Sequence, residues 1–348
     1  MNEKKHILEY DILRVGVTLL VVVSHCMYYR IESAYGGIDY ARYVSTTPFI
    51  YRCLEQIKEM LYAFHMPLFM GLSGALFKNG IQKRNSLKNL LKKKFERLII
   101  PFIIVTIVYD IPLKYISQYW DGTENFFKDA IIGQLLIQGN TYLWFLPTLF
   151  FIFAIYYEVE KINIPLYIQL VGFAILNILQ EHITNNLIKN ICIYLLWFCV
   201  GYWFEKVRSK IKEKISLKIM ICNYLIFVIL FYGLKHIELN SIFDGILKIV
   251  LALLGMLATY MTAVLLTKTK VCQNILYGYI KKYSFGIYLY SDPINYVLLF
   301  CEYSVFGGMI FNTNMGAAFL FFSRFIISLL IAILISAVLK KCHFKYLY

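Results

Sequence analysis

The side chains that could do chemistry in this sequence lie inside apolar stretches, and the first stretch holds Asp11, Arg14 and His25. Ionisable groups in a hydrocarbon environment are costly, so each is a functional candidate. Arg14 and His25 are eleven residues apart, which is three helical turns with almost no rotation, and they therefore share one face about 16 Å apart. Asp11 precedes Arg14 by the spacing of a helical ion pair. This spacing predicts one helix face that carries the Arg14 cation toward one end and the His25 imidazole toward the other. The alternative is an interfacial Asp11–Arg14 anchor with a hydrogen-bonded interior His25.

A second histidine lies in the next apolar stretch, within the segment FHMPLFMGLSG. His65 and His25 are at similar distances from the outer ends of adjacent stretches, so both are expected to face one cavity. Pro67 removes a backbone donor and loosens the helix. Ser73 and Gly74 suit close helix approach, and we favour this packing role over a catalytic one.

A pair of cations opens the third apolar stretch. Lys94 and Arg97 lie three residues apart in the segment KKKFERLIIPF, so they share a helix face. They predict a cationic mouth that can bind phosphate groups, and the alternative is a plain positive flank. Asp110, further along the same stretch, has no evident partner in the sequence.

The remaining candidates are spread over the later stretches. Trp144 opens the fourth stretch, where an aromatic residue is expected at a membrane surface in any case. Asp292 lies near the middle of the ninth stretch, and Pro293 beside it predicts a break in that helix. Arg324 lies within the last stretch. Together with Tyr288, these residues suit a sugar ring; belt aromatics and a structural arginine are the alternative.

The composition identifies the class of protein that carries these residues. The chain is 59% hydrophobic and 16% charged, with a mean hydropathy of +0.62, whereas a soluble domain is about a quarter charged. The net charge of +14 lies in short runs between apolar blocks, so it predicts membrane orientation and not nucleic-acid binding. No C-x-x-C pair occurs among the eight cysteines, and no metal site is predicted.

Each transmembrane span requires about 20 apolar residues. The sequence therefore predicts an all-α integral membrane protein, one domain over 1–348, with about ten helices. The predicted spans are 11–30, 57–78, 98–118, 135–157, 164–181, 188–205, 217–235, 243–267, 283–301 and 316–339.

Positive charge alternates between the connecting loops and sets the orientation. Lys and Arg are concentrated in 78–97, 206–218 and 268–282 and after the last span. They are nearly absent from 119–130, 236–242 and 302–315. The positive-inside rule then predicts that both termini are cytoplasmic and that the longest loop, about 31–56, is outside. Reporters placed near Arg84 and after Tyr348 should both be cytoplasmic.

The ordered set of motifs resembles the acyltransferase-3 family of bacterial membrane acyltransferases. The shared features are D-x-x-R followed by histidine in the first span, HMPLF…SG, K-x-x-R-L-x-x-P, WFL and S-x-G-I-Y-L. The histidine before M-P is similar to the fucose 4-O-acetylase-like branch. The resemblance extends from Asp11 to about Arg324. Two positions depart from the family pattern: Lys94 stands in place of an arginine, and Ser291 stands where the ninth-span motif usually has histidine.

The resemblance implies transfer of an acetyl group from cytoplasmic acetyl-CoA to a sugar hydroxyl of a cell-surface glycan or its lipid-linked precursor, in the bacterial plasma membrane. Acetyl-CoA is then a co-substrate, and no metal is needed. The catalytic residues would be His25, Arg14 and His65. The donor would bind at Arg14, Lys94 and Arg97. The acceptor would bind at Trp144, Tyr288, Asp292 and Arg324. The structural residues would be Asp11, Pro67, Ser73 and Gly74.

Several alternatives stay open from the sequence. A transporter or flippase would also use intramembrane histidine, arginine and aspartate, but the repeats common in transporters are not evident. A membrane scaffold would not need an aligned Arg14–His25 stripe. Within the acyl-transfer reading, His25 acts either as a general base or as the carrier of an acetyl group. The acceptor sugar, the acyl-chain preference and the oligomeric state are not predicted.

Overall fold

The computed structural model describes residues 7–29, 31, 47–80, 86–138, 141–235 and 240–348. The described residues are 85% helical and form no strand. Arg84, most of the predicted outer loop 31–56 and most of the loop 236–242 lie outside the described residues. The predicted all-α membrane class is confirmed.

Eleven longer helices make up the described part of the chain. They are α1 (Leu8–His25), α2 (Phe49–Tyr62), α3 (His65–Gly80), α4 (Leu87–Ile116), α5 (Phe145–Lys161), α6 (Leu166–Leu179), α7 (Asn186–Lys214), α8 (Leu217–Leu234), α9 (Ser241–Leu266), α10 (Ile275–Phe306) and α11 (Asn314–Lys341).

Among the described residues, seven helical segments are long and apolar enough to cross a membrane. They are Phe49–Gly80, Leu87–Ile116, Tyr142–Lys161, Asn186–Lys214, Leu217–Leu234, Ile242–Leu266 and Asn314–Lys341. The other three predicted spans coincide with α1, α6 and α10. Charged residues interrupt α1 and α10, and α6 has only 14 residues. The count of ten spans and the cytoplasmic termini stay predictions.

Two predicted spans have different boundaries in the structure. The span 57–78 is divided between α2 and α3 by a turn at Ala63 and Phe64, where the Phe64 N–H donates to the Leu61 carbonyl three residues earlier. Pro67 lies in the first turn of α3, where its missing N–H is tolerated. The span 135–157 begins later than predicted, with a 3₁₀ turn at Tyr142–Trp144 that leads into α5. Ile137 has φ of 59° before this turn, so the chain changes direction there.

The predicted break at Pro293 is wrong, since α10 is continuous from Ile275 to Phe306. A proline inside a helix leaves the carbonyl four residues earlier without its usual donor. Here that carbonyl belongs to Leu289, and the Tyr142 hydroxyl donates a hydrogen bond to it. The next carbonyl, of Tyr290, accepts from the Tyr109 hydroxyl at 3.1 Å. Two tyrosines from other elements therefore allow α10 to continue.

Helix α1 lies inside the bundle and contacts α10, α9 and α3. The neighbouring pair α3 and α7 packs at very short distance through glycines. A Cβ atom at Gly74 would collide with the Phe198 carbonyl oxygen, and one at Gly201 would collide with the carbonyl oxygen of Gly71. This close approach is the packing role that the sequence indicated for the glycine motif.

Candidate functional site

The end of α1 and the middle of α10 bring His25 and Asp292 together. His25 is the last residue of α1, and its Nδ1 lies 3.0 Å from Oδ1 of Asp292 in the middle of α10. The Asp292 side chain is 3% exposed, whereas the His25 side chain is 23% exposed. A carboxylate accepts hydrogen bonds only, so a hydrogen bond across this contact requires the proton on Nδ1 and leaves Nε2 of the neutral ring as the proton acceptor. The arrangement is that of an oriented general base.

Asp292 was predicted as an acceptor-binding residue, and the structure gives it a different position. Its carboxylate is buried and lies against His25, so its observed partner is the imidazole, and its contact with an acceptor stays a prediction. The motif position before it, Ser291, is also buried, and its carbonyl accepts from the Asn295 side chain at 3.1 Å. The contact of Asp292 with His25 depends on two distant segments, so sequence spacing did not reveal it.

Tyr62 connects the two histidines. Its ring centre lies 6.5 Å from that of His25 and 5.1 Å from that of His65, and both arrangements are edge-on. The Nδ1 atom of His65 lies 2.7 Å from the Leu61 carbonyl oxygen, which can only accept, so Nε2 of His65 is the unprotonated nitrogen. Both histidine rings thus contact the same tyrosine ring.

A buried ion pair lies near this centre. Lys114 Nζ is 3.1 Å from Oδ2 of Asp110, and both side chains are almost fully enclosed. The same ammonium lies over the rings of Tyr119 and Tyr296 at 5.0 and 5.6 Å from their centres. Asp110 therefore has the partner that the sequence analysis did not identify. The signal was available, because Lys114 follows Asp110 at the helical i,i+4 spacing.

Arg324 holds the backbone that follows His25. One of its terminal nitrogens donates to the carbonyl oxygens of Cys26 and Tyr28, at 2.7 and 2.6 Å. Its Nε donates to the carbonyl of Leu320 in its own helix at 2.9 Å. The side chain has no exposed surface. These contacts favour the structural alternative, in which the guanidinium satisfies carbonyls beyond the end of α1 and so positions His25; contact of Arg324 with the acceptor stays a prediction.

The two aromatic candidates for acceptor binding are also involved in packing. Tyr288 is 4% exposed, and its hydroxyl donates to the Tyr142 carbonyl at 3.3 Å. Trp144 is half-buried and stacks on Tyr194 with the ring centres 4.9 Å apart. Tyr288 is therefore out of reach of an acceptor in this conformation. Through this stacking Trp144 supports Tyr194, which lines a cavity whose wall also includes Tyr62.

We call this cavity the outer cavity, and the one at the opposite ends of the helices the inner cavity, after the predicted orientation. The outer cavity lies at the ends of α3, α6, α7, α8 and α9 and has a volume of about 460 Å³. Tyr62, which contacts both histidine rings, forms part of its wall. Gln180 contributes an enclosed Oε1 atom that has no hydrogen-bond partner. Its lining includes Tyr62, Asn177, Gln180, Tyr194, Lys235, Asp244 and Lys248.

An inner cavity of about 360 Å³ lies at the opposite ends of the helices. Lys94 and Arg97 line it together, as their shared helix face predicts, and Ser73 of α3 contributes to the same wall. The Lys94 Nζ lies 3.5 Å from the centre of the Phe153 ring. A third cation, Lys345, was not considered in the sequence analysis and also lines this cavity.

Arg14 is not among the residues that line the inner cavity. Its guanidinium donates to Asp11 Oδ1 at 3.0 Å, which is the predicted helical ion pair. The other Asp11 oxygen lies 2.7 Å from Lys281 Nζ. The structure therefore does not group Arg14 with Lys94 and Arg97, and the Asp11–Arg14–Lys281 cluster joins the inner ends of α1 and α10.

The comparison with protein-family models matches the family described as "Acyltransferase domain" (Acyl_transf_3) over residues 7–340. The chain belongs to the acyltransferase-3 family. Neither the comparison with curated proteins nor that with solved structures gives a match. Family membership supports membrane acyl transfer in general. Assignment to the fucose 4-O-acetylase-like branch stays a prediction.

In this acyltransferase-3 protein, the motifs seen in the sequence occupy two separate levels of the bundle. His25 and His65 lie near the outer ends of α1 and α3, beside the outer cavity through Tyr62. Lys94 and Arg97 line the inner cavity. The candidate site therefore comprises the His25–Asp292 pair, the outer cavity whose wall includes Tyr62, and the separate inner cavity with its cations.

Proposed function

We propose that this acyltransferase moves an acetyl group from cytoplasmic acetyl-CoA to a hydroxyl of an extracytoplasmic sugar, either in a cell-surface glycan or in its lipid-linked precursor. The observation that carries the proposal is the His25–Asp292 contact, 3.0 Å long, in a bundle with an inner cationic cavity and an outer, largely apolar cavity that also contains Asn177 and Gln180. An integral membrane enzyme with this arrangement can receive its two substrates from opposite faces.

The chemical step uses the free nitrogen of His25. Nε2 takes the proton of the sugar hydroxyl as the oxygen attacks the carbonyl carbon of the thioester. The tetrahedral intermediate collapses when the carbon–sulfur bond breaks, and the CoA sulfur leaves with the proton that the imidazolium returns. Asp292 holds the ring in one tautomer and stabilises the imidazolium during the step. General-base assistance of this kind contributes about 10²–10⁴-fold.

The donor side is supported by charge and by helix geometry. Acetyl-CoA carries several phosphate charges, which Lys94 and Arg97 can bind at the inner cavity by charge-assisted hydrogen bonds. Ser73 in its wall lies on the same face of α3 as His65, because the two are separated by twice the i,i+4 spacing. At 1.5 Å per residue, this distance is about 12 Å along the helix axis. The pantetheine arm therefore has a short route along α3 toward the histidines.

The acceptor side is supported by the chemistry of the outer cavity. Tyr62 and Tyr194 offer aromatic surface, and Gln180 Oε1 is an enclosed acceptor without a donor. A sugar hydroxyl can supply that donor, and the Asn177 side chain lies on the same wall. His65 is buried and contacts the Tyr62 ring, so it can support the acceptor site through that tyrosine. A glycan that occupies this cavity would contact Tyr62 directly beside His25.

The test is mass analysis of surface glycans from cells that express the wild-type chain or a variant. We expect one acetyl increment with the wild type, none with His25→Ala or His25→Gln, and a reduced amount with His65→Ala. Expression and acetyl-CoA binding should be preserved in all three. His182→Ala is the matched control, because His182 is an exposed histidine on the 3₁₀ turn Gln180–His182.

Two results would contradict the proposal. A folded His25→Ala protein with wild-type turnover would remove the mechanism, although the family assignment would stand. A wild-type chain that leaves every surface glycan unacetylated would remove the acceptor class. Labelled acetyl recovered on His25 after incubation with acetyl-CoA alone would identify the acetyl-histidine relay in place of the general base.

A further inference from the structure

Residues 342–348 form a segment with a fixed position after α11. The chain turns back at His343, whose φ is 61°, and the Phe344 N–H donates to the Leu339 carbonyl at 3.0 Å. The Tyr290 hydroxyl of α10 donates to the Leu347 carbonyl at 2.7 Å, and Leu347 packs against the main hydrophobic core. The segment is therefore attached to the same helix that carries Asp292.

Three side chains of this segment line the inner cavity, namely Lys345, Tyr346 and Tyr348. Lys345 is exposed, and its ammonium lies 5.7 Å from the centre of the Tyr346 ring. The Tyr348 ring has Lys340 of α11 at a similar distance, 5.7 Å. On this wall a cation and two aromatic rings thus face the cations Lys94 and Arg97 of α4.

We propose that the segment 342–348 is part of the donor site and recognises the nucleotide portion of acetyl-CoA. This inference rests on the proposed function. Lys345 is the third cation for the phosphate groups, and Tyr346 and Tyr348 offer aromatic faces on which the adenine stacks. Stacking of a base on an aromatic side chain and charge-assisted contact with phosphate are the two forces that bind nucleotides at surfaces of this kind.

The placement has a consequence for the Tyr290–Leu347 hydrogen bond. This bond holds the segment against the cavity without itself reaching a ligand. Tyr290 is therefore a positioning residue, and its replacement by phenylalanine should loosen the wall while every lining side chain stays present. The Tyr290 ring also remains, so the core around it is conserved.

The experiment measures the affinity of the detergent-purified full chain for acetyl-CoA and for adenosine 3′,5′-bisphosphate, which carries the nucleotide without the pantetheine arm. We expect Lys345→Gln to weaken both ligands by the same factor, about tenfold, as loss of one charge-assisted contact implies. Tyr346→Ala should weaken both as well. Tyr290→Phe should weaken them by a smaller factor. Lys341→Gln is the matched control, an exposed lysine at the end of α11 that does not line the cavity.

The outcomes separate this inference from the proposed function. Wild-type affinity in Lys345→Gln and Tyr346→Ala, with acetyl-CoA still bound by the wild type, would overturn the role of the segment alone. Weakened binding of acetyl-CoA with unchanged binding of the bisphosphate would overturn its assignment to the nucleotide. A wild-type chain that binds no acetyl-CoA would overturn both the inference and the proposed donor.

Discussion

The two cavities of this acyltransferase differ in how their charges are balanced. The charged residues that line the inner cavity, within the described part of the chain, are the cations Lys94, Arg97 and Lys345. In the outer cavity, by contrast, Lys248 Nζ lies 2.6 Å from Asp244 Oδ2, and Lys235 pairs with Glu59. The inner surface is thus an all-cation site, whereas charges at the outer surface are neutralised by carboxylates of the protein.

This difference indicates which kind of ligand each cavity suits. An excess of cations favours an anion through attraction that a neutral ligand cannot match. A cavity whose charges are already paired offers hydrogen-bond donors and acceptors with little net field. The inner cavity therefore suits the phosphates of a CoA thioester, and the outer one suits the hydroxyl groups of a sugar. Each of the following variants alters one site of the bundle and leaves the other sites unchanged.

The largest effect is expected at the His25–Asp292 pair. Asp292→Asn preserves the shape of the side chain but allows it to donate to His25, which favours the wrong tautomer. We expect turnover to fall by about 10²–10⁴-fold with little change in the affinity for acetyl-CoA. Ser291→Ala, next to Asp292 and also buried, is the control and should stay within a few-fold of the wild type. An equal loss in both variants would show that the region acts through packing.

The next effect concerns the inner cavity alone. Lys94→Ala combined with Arg97→Ala should weaken acetyl-CoA binding by about 100-fold or more, because each of the two lost contacts with phosphate is worth at least roughly 1.5 kcal/mol. Lys92→Ala with Lys93→Ala removes the same charge from exposed positions that do not line the cavity. Titration of both double variants by calorimetry checks the prediction. Equal affinity in the two would exclude Lys94 and Arg97 from the donor site.

A smaller effect is expected where the protein supports His25. Arg324→Lys keeps a cation but loses the planar fork, so contacts with the carbonyls of Cys26, Tyr28 and Leu320 cannot all be preserved. Each buried carbonyl left without a donor costs about 1–3 kcal/mol of stability. Thermal unfolding in detergent should therefore shift downward, with a moderate loss of turnover. A variant as stable as the wild type but unable to use acceptor would restore the acceptor-binding role.

The smallest effect is expected at the proline in α10. Tyr142→Phe removes the hydroxyl that donates to the Leu289 carbonyl and should lower the unfolding free energy by about 1–3 kcal/mol. Donor affinity should not change, because Tyr142 lines neither cavity. Tyr167→Phe is the control, since Tyr167 is 70% exposed on α6. Equal unfolding temperatures for the two variants would mean that another donor forms a hydrogen bond with the Leu289 carbonyl in Tyr142→Phe.

The sequence by itself determined the features that depend on local spacing. Apolar length identified the membrane class, and the helical period placed Lys94 and Arg97 on one wall and paired Asp11 with Arg14. The motif order identified the family that the match over residues 7–340 confirms. The two helical pairings, Lys94 with Arg97 and Asp11 with Arg14, need only the rise of 1.5 Å and the period of 3.6 residues that α-helices share.

Only the tertiary structure decided which distant residues meet. It joined His25 to Asp292, turned Arg324 toward the end of α1, brought Tyr142 to the carbonyl freed by Pro293 and added Lys345 to the inner cavity. The pattern of apolar residues cannot predict such pairings. Lipid tails are as apolar as the helix surfaces, so burial of apolar surface does not favour one neighbouring helix over another, and shape and hydrogen bonding determine which helices pack together. In this bundle the glycine contacts between α3 and α7 and the polar contacts of α10 make that choice, and both depend on the folded arrangement of the whole chain.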